Sequence, residues 1–214
     1  MGPRNEDSGA ASYIPARPTL RRMRDAIQQC HGCDLYRYAT QAILGEGPAA
    51  ARVVLVGEQP GAKEDLAGHP FVGPAGQLLD RALEEAGIAG GDVFVTNAVK
   101  HFKFEERGKR RIHKKPSDKE ITACKPWLEA ELSLVKPKVI VCLGATATLA
   151  LMGKAHHVLA DRGKFFTQSD GSRITTTLHP SAVLRAPDTA RRHQAYEAFV
   201  RDLKAVSREL RARA

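Results

Sequence analysis

Several features that define common protein classes are missing from this 214-residue sequence. No stretch approaches the roughly 20 consecutive apolar residues that a membrane helix requires, and residues 1–12 contain no apolar signal core. The dinucleotide-binding motif Gly-x-Gly-x-x-Gly is absent, and no Gly-Lys-Ser or Gly-Lys-Thr follows a predicted strand, which excludes a P-loop. We therefore expect a cytoplasmic protein with no membrane contact, in which residues 1–15 form a flexible leader and residues 16–214 a single domain.

Cysteine is also scarce, with four residues in the whole chain. Without an export signal, metal ligands or buried thiols are more expected than two disulfides. Cys30 and Cys33 form a Cys-x-x-Cys pair, and Cys124 and Cys142 follow far downstream. Four thiolates can hold a 4Fe-4S cluster or a structural zinc ion, and Cys142, in an apolar run, can equally be a simple buried side chain.

Acidic residues are outnumbered by basic ones, 24 against 33, which leaves a formal net charge of +9. The basic residues cluster around residues 21–24, 107–115 and 185–192 rather than in one tail. This distribution fits a polyanionic partner such as nucleic acid, although an ordinary solvated surface explains the charge equally well.

Short β-branched runs alternate with helical patterns along the chain. Strands are predicted at residues 53–56, 93–96, 139–143 and 174–178, and helices at residues 19–29, 75–86, 117–134, 145–152 and 189–211. Ser117 and Glu120 form a capping box that marks the start of one helix. The alternation predicts a three-layer α/β/α sandwich with a central four-stranded parallel sheet.

Unusual loops follow the four predicted strands. In open α/β sheets the ligand site lies beyond the carboxyl ends of the strands, so these loops are expected to converge on one crevice. They begin at Gly57, Asn97, Gly144 and His179.

The motifs in these loops carry a resemblance to a known family. They are Gly-Glu-Gln-Pro-Gly at 57–61, a Pro-Phe-Val-Gly-Pro-Ala-Gly run at 70–76, Thr-Asn at 96–97 and His-Pro-Ser at 179–181. In order and spacing they resemble the uracil-DNA glycosylase superfamily, specifically its iron-sulfur branch, from Cys30 to about Leu203. The resemblance implies a DNA-repair enzyme that cuts the bond between uracil and deoxyribose and releases uracil. We expect a monomer, because an enzyme that extrudes a base into one groove works adequately as one. It also implies a 4Fe-4S cluster, structural in role, held by Cys30, Cys33, Cys124 and Cys142.

The resemblance also implies roles for individual residues. Phe71 would stack on a flipped uracil, Asn97 would read its O4 and N3–H, and His179 would donate to O2 of the departing base, supported by the backbone N–H of Gln59. Glu58 would stabilise the cationic sugar or orient its attacker. The ordinary alternatives are a core aromatic, a turn asparagine, a histidine satisfied by backbone and a surface carboxylate.

The segment at residues 100–116 is long and basic for a connector. Its Lys-Arg-Arg-Ile-His string at 109–113 is similar to the loop of the UdgX type of glycosylase. That similarity implies that His113 attacks C1′ after uracil leaves and stays bonded to the sugar, so that each molecule acts about once. We further expect DNA contacts from basic side chains at Lys109, Arg110, Arg111 and Arg185.

Three alternatives stay open from the sequence. His113 and its basic neighbours can simply grip phosphate, and a conventional turnover glycosylase would use a water oriented by Glu58. A non-catalytic uracil-DNA binding module on the same fold would release no uracil.

Overall fold

A computed structural model of the chain describes residues 9–108 and 110–213. In chain order its elements are α1 Leu20–Ile27, β1 Val53–Gly57, α2 Ala62–Ala67, α3 Pro74–Glu85, β2 Val93–Asn97, β3 Phe104–Arg107, β4 Arg110–His113, α4 Asp118–Val135, β5 Val139–Leu143, α5 Ala145–Met152, α6 Val158–Asp161, β6 Phe166–Thr167, β7 Arg173–Thr177, α7 Pro180–Leu184 and α8 Thr189–Ala212. None of the described helices is long and apolar enough to cross a membrane.

The main sheet has the strand order β2-β1-β5-β7-β6. The first four of these strands are parallel, which confirms the predicted α/β architecture and all four predicted strands. The prediction of a four-stranded sheet was one strand short, because β6 adds an antiparallel edge beside β7. With two residues, β6 is too short to produce a recognisable alternation in the sequence.

Apolar cores cover both faces of the sheet. Alternation along β5 sends Val141 to the side of α3 and α8, and sends Ile140 and Cys142 to the side of α4 and α5. Helices therefore cover both faces, as the sandwich prediction requires. A third core lies beneath the N-terminal segment and α4, and it contains Cys30 and Cys124.

The start of α4 follows the predicted capping box. The Ser117 side chain accepts from the Glu120 amide, and the Glu120 carboxylate accepts from the Ser117 amide. This cap fixes where α4 begins and so where it presents Cys124 and Glu131.

The predicted flexible leader needs correction over its described part, residues 9–15. Ala10 is buried, and its amide donates to the Ala123 carbonyl on α4 at 2.9 Å. This part of the leader is packed onto the domain.

The basic segment predicted as a loop contains a β-hairpin. Strands β3 and β4 pair antiparallel, with Phe104 opposite His113 and Arg107 opposite Arg110. Gly108 has a φ of 58° in the turn, a left-handed conformation that glycine adopts without strain. The hairpin was not predicted because charged residues replace the alternation that normally marks a strand. Because of the hairpin, His113 lies at the end of strand β4 rather than in a loop.

Candidate active site

One cavity of about 800 Å³ opens at the carboxyl ends of the parallel strands. Seven of the predicted site residues line it: Glu58, Gln59, Phe71, Asn97, His113, His179 and Arg185. Residues from positions 58 to 185 meet here because the carboxyl ends of parallel strands share one edge of the sheet.

The floor of the cavity depends on a glycine at the end of β1. A Cβ at Gly57 would lie 2.4 Å from Oδ1 of Asn97 and 2.7 Å from Cζ of Phe71. Any larger residue would push these two side chains out of the cavity. The glycine therefore allows an amide and an aromatic ring to approach the same backbone.

Asn97 ends β2 and is 3% exposed. Its backbone carbonyl accepts from Nζ of Lys100 at 2.8 Å, which holds the end of the strand. Its side-chain amide has no hydrogen-bond partner among residues 9–108 and 110–213, so both its donor and its acceptor are available to a ligand.

Phe71 and His179 face each other across the cavity, with ring centroids 6.2 Å apart and an interplanar angle of 25°. Phe71 has a φ of 56°, rare for a residue with a side chain. Its carbonyl occupies the place where a Cβ at Gly76 would stand, which makes a larger residue at 76 incompatible with this turn.

His179 caps α7 with its ring. Nδ1 accepts from the Ser181 amide at 3.1 Å, so in the neutral ring Nε2 carries the proton. Burial, with smaller contributions from Arg185 and His113, lowers the pKa of His179 to about 4. A neutral imidazole with a single N–H donor therefore faces the cavity near neutral pH.

The Glu58 carboxylate lies between two partners. Its Oε2 accepts a hydrogen bond from Oγ1 of Thr146, and its Oε1 lies 3.4 Å from Nε2 of His113. Burial lowers the pKa of His113, and Arg185 lowers it further, against the opposing effect of Glu58. An unprotonated imidazole thus lies beside a carboxylate, an arrangement suited to nucleophilic attack.

Gln59 holds the base of the hairpin in place. Its Nε2 donates to the carbonyls of Lys103 and Lys114 at 3.0 and 3.1 Å, and its Oε1 accepts from the Lys103 amide. The Gln59 side chain therefore bridges the residue just before β3 and the residue just after β4, next to the Phe104–His113 pair. This supporting contact was not predicted, since only the backbone N–H of Gln59 had been assigned a role.

Arg111 has a structural environment that the DNA-binding prediction did not anticipate. Its Nη1 lies 2.5 Å from Oδ2 of the fully buried Asp65, and its guanidinium stacks over Phe102 and Phe104. Nη2 also donates to the Ala62 carbonyl, so Arg111 joins the hairpin to α2.

The other predicted DNA contacts differ in position. Arg110 is exposed on the hairpin, and Arg185 is exposed at the rim of the cavity. Lys109 lies outside the described residues.

Three of the four cysteines lie in one region. Cys30 and Cys124 share a core with the partly buried Cys33, and burial raises the pKa of Cys33 to about 11 and of Cys124 to about 12. The sulfurs already receive N–H donors: Trp127 Nε1 donates to Cys30 and the Lys100 amide donates to Cys124, both at 3.2 Å. Buried sulfurs that accept hydrogen bonds from N–H groups are typical of thiolates that bind a metal centre.

Cys142 is not brought to this group. It lies near the end of β5, packed in a different core with residues such as Val56 and Ala147, and burial alone raises its pKa. Within the described residues, no three His, Cys, Asp or Glu side chains have the spacing of a metal site. The structure therefore separates Cys142 from the other three cysteines of the predicted ligand set.

His101, a neighbour of these cysteines, was not predicted as a site residue. It follows Lys100, whose amide contacts Cys124, and it is 5% exposed. Burial, opposed by Asp65 and aided by His31 inside the Cys-x-x-Cys pair, lowers its pKa to about 4. The available signal was a histidine four residues beyond the end of β2.

The geometry described above defines an α/β protein with a substrate-sized cavity at its strand ends. The chain matches the sequence profile of the uracil DNA glycosylase superfamily over residues 44–204 and belongs to that superfamily. It is 40% identical over 175 residues to a type-4 uracil-DNA glycosylase of Pyrobaculum aerophilum, covering 78% of this chain and 86% of the relative. A type-4 uracil-DNA glycosylase of Thermotoga maritima is 38% identical over 162 residues, 75% of this chain and 81% of the relative. A type-5 uracil-DNA glycosylase of Thermus thermophilus is 34% identical over 130 residues, 54% and 56% of the two chains.

Proposed function

We propose that this protein excises uracil from DNA and then bonds to the resulting sugar through His113. The observation that carries the proposal is the convergence of Glu58, Phe71, Asn97, His113 and His179 on one cavity. Superfamily membership and the type-4 relatives, whose names state uracil-DNA glycosylase, support the excision step.

Recognition of the base uses the two residues that meet over Gly57. A uracil flipped out of the stack would lie against the ring of Phe71. The Asn97 amide would accept from uracil N3–H and donate to O4. Cytosine has an acceptor at N3 and a donor at C4, so the same amide would face two mismatched groups.

His179 would assist departure of the base. As the bond between C1′ and uracil N1 breaks, its electron pair stays on the base and spreads to O2. The neutral ring of His179 would donate from Nε2 to that oxygen, and the Gln59 backbone N–H would add a second donor. Such donors act most strongly where charge develops in the transition state.

The covalent step needs the proximity of His113 and Glu58. Glu58 would stabilise the positive charge that develops on the sugar. A lone pair on a ring nitrogen of His113 then forms a bond to C1′, and the proton of the other ring nitrogen passes through Glu58 to the uracil anion. The products are neutral uracil and a histidine joined to the sugar, which has no easy route to hydrolysis.

A conventional turnover glycosylase is the second candidate. In that reaction a water oriented by Glu58 attacks C1′, and the abasic DNA is released. The similarity to type-4 relatives supports this reaction as well as it supports the covalent one. The position of His113, 3.4 Å from Glu58, favours the covalent reaction.

We also propose that the chain holds a 4Fe-4S cluster through Cys30, Cys33 and Cys124, with His101 rather than Cys142 as the fourth ligand. The shared core of the three cysteines and the burial of His101 next to them support this set. Imidazole can replace thiolate on cluster iron. The role of the cluster would be structural, because cleavage of a glycosidic bond transfers no electrons.

A uracil-containing oligonucleotide tests the function directly. We expect wild type to release free uracil and to give a protein-DNA adduct that survives denaturing electrophoresis. His113→Ser should form no adduct, while His193→Ser, an exposed position on α8, should behave as wild type. Absence of free uracil would refute excision and favour a binding module, whereas uracil release without an adduct would establish the turnover reaction.

A further inference from the structure

The two oxygens of the Glu58 carboxylate are used differently. Oε1 faces Nε2 of His113, and Oε2 accepts the hydroxyl proton of Thr146. In a carboxylate that is free to turn, either oxygen could face the cavity, because rotation about the last side-chain bond of glutamate is broad. The Thr146 hydrogen bond removes this freedom.

Thr146 is well placed to act as a fixed support. It is 1% exposed and is the second residue of α5, a helix that begins directly after β5. Gly144 caps this helix with a φ of 85°, and a Cβ there would lie 2.9 Å from Cβ of His179. The turn that carries Thr146 is therefore packed against a second residue of the cavity.

We propose that Thr146 is a positioning residue that holds Glu58 so that one oxygen faces His113. The inference rests on the proposed covalent function and deepens it. With Oε2 bonded to Thr146, the remaining oxygen is directed at the histidine. Without the hydroxyl, the carboxylate can turn and present an oxygen to water, so part of the reaction would end as free abasic DNA.

The test uses three variants with closely matched shapes. Thr146→Val removes the hydroxyl, and Thr146→Ser keeps it. Thr148→Val is the control, because Thr148 is equally buried on α5 but bonds the Gly144 carbonyl and Thr176 instead of Glu58. Single-turnover reactions with saturating enzyme give the excision rate and the share of excised uracil that ends as adduct.

We expect Thr146→Val to slow excision about tenfold, the size of effect associated with losing a hydrogen bond to a charged group. We also expect it to lower the adduct share, while Thr146→Ser and Thr148→Val keep the wild-type share. General damage to the fold would slow all products together and leave this share unchanged. An unchanged share in Thr146→Val, or an equal fall in Thr146→Ser, would overturn the proposal.

The excision rate separates this inference from the proposed covalent step. If wild type releases uracil but forms no adduct, the covalent step fails, and the excision rate still decides the role of Thr146. In that case Thr146→Val should still slow excision about tenfold, because Glu58 loses the hydrogen bond that holds its carboxylate, while Thr146→Ser and Thr148→Val should not. Equal excision rates in Thr146→Val and Thr148→Val would refute the supporting contact.

Discussion

The cavity and the cysteine region of this protein are prepared for their ligands to different degrees. In the cavity, His113 and Glu58 keep 49% and 23% of their side-chain surface exposed, and their partners are already in place. In the cysteine region, Cys30 and Cys124 are buried at 5% and 3%, and burial raises the pKa of Cys124 to about 12. A buried thiol ionises only when a cation compensates its charge. The cavity is thus built by the protein alone, whereas the cysteine region would be completed by the proposed metal centre.

A buried ion pair lies between these two regions. Nζ of Lys100 lies 2.5 Å from Oε2 of Glu131, and both side chains are fully buried. The same lysine donates to the Asn97 carbonyl and, through its amide, to Cys124. Lys100 therefore connects the residue that would read uracil to a predicted metal ligand.

The largest expected effect is on stability, from Lys100→Met. The substitution leaves the buried Glu131 carboxylate without its cation, which typically costs about 3–5 kcal/mol of unfolding free energy. Urea denaturation should show this loss. The double variant Lys100→Met with Glu131→Met should recover part of it, since it carries no uncompensated charge but leaves the Gly45 amide and the Thr96 hydroxyl without their acceptor. A double variant as unstable as the single one would contradict the role assigned to the pair.

The next effect concerns pH and His179. The pKa of this histidine is about 4 in the folded protein and near 6.5 when unfolded. As pH falls, the unfolded state binds the proton first, so the stability contribution is full above about pH 6.5 and is lost toward about pH 4. We expect wild type to lose up to about 3 kcal/mol in this window through His179 alone.

The matched variant is His179→Asn, because asparagine does not titrate in this range. Urea midpoints measured between about pH 7 and pH 4 should fall less steeply in this variant. Parallel pH profiles for the two proteins would show that burial of His179 does not perturb its titration.

The smallest expected effect is that of Cys142→Ala on the metal centre. Because Cys142 lies in a different core from the other three cysteines, the variant should keep the broad cluster absorbance at about 400 nm and lose only about 1 kcal/mol of stability. Cys124→Ala and His101→Ala should lose or markedly alter the absorbance. Loss of colour in Cys142→Ala would restore the four-cysteine ligand set, and a colourless wild type with stoichiometric zinc would exclude the cluster.

The difference between the cavity and the cysteine region also explains which features could be predicted from the sequence. Asn97 and His179 were found because parallel strands end at one edge, so their place in the sequence implies their meeting in space. Cys142 was assigned by spacing, although its position inside a buried strand points into a core. Thr146 and the Asp65–Arg111 pair depend on side-chain contacts between segments far apart in the chain, which hydrophobic periodicity does not report.

The most direct test of the account is the amount of uracil released per protein molecule when uracil-containing DNA is in excess. A cavity that places His113 beside Glu58 predicts a burst that stops at about one uracil per molecule, with an equal amount of adduct. Continued release of many uracils per molecule, with free abasic DNA and no adduct, would contradict it.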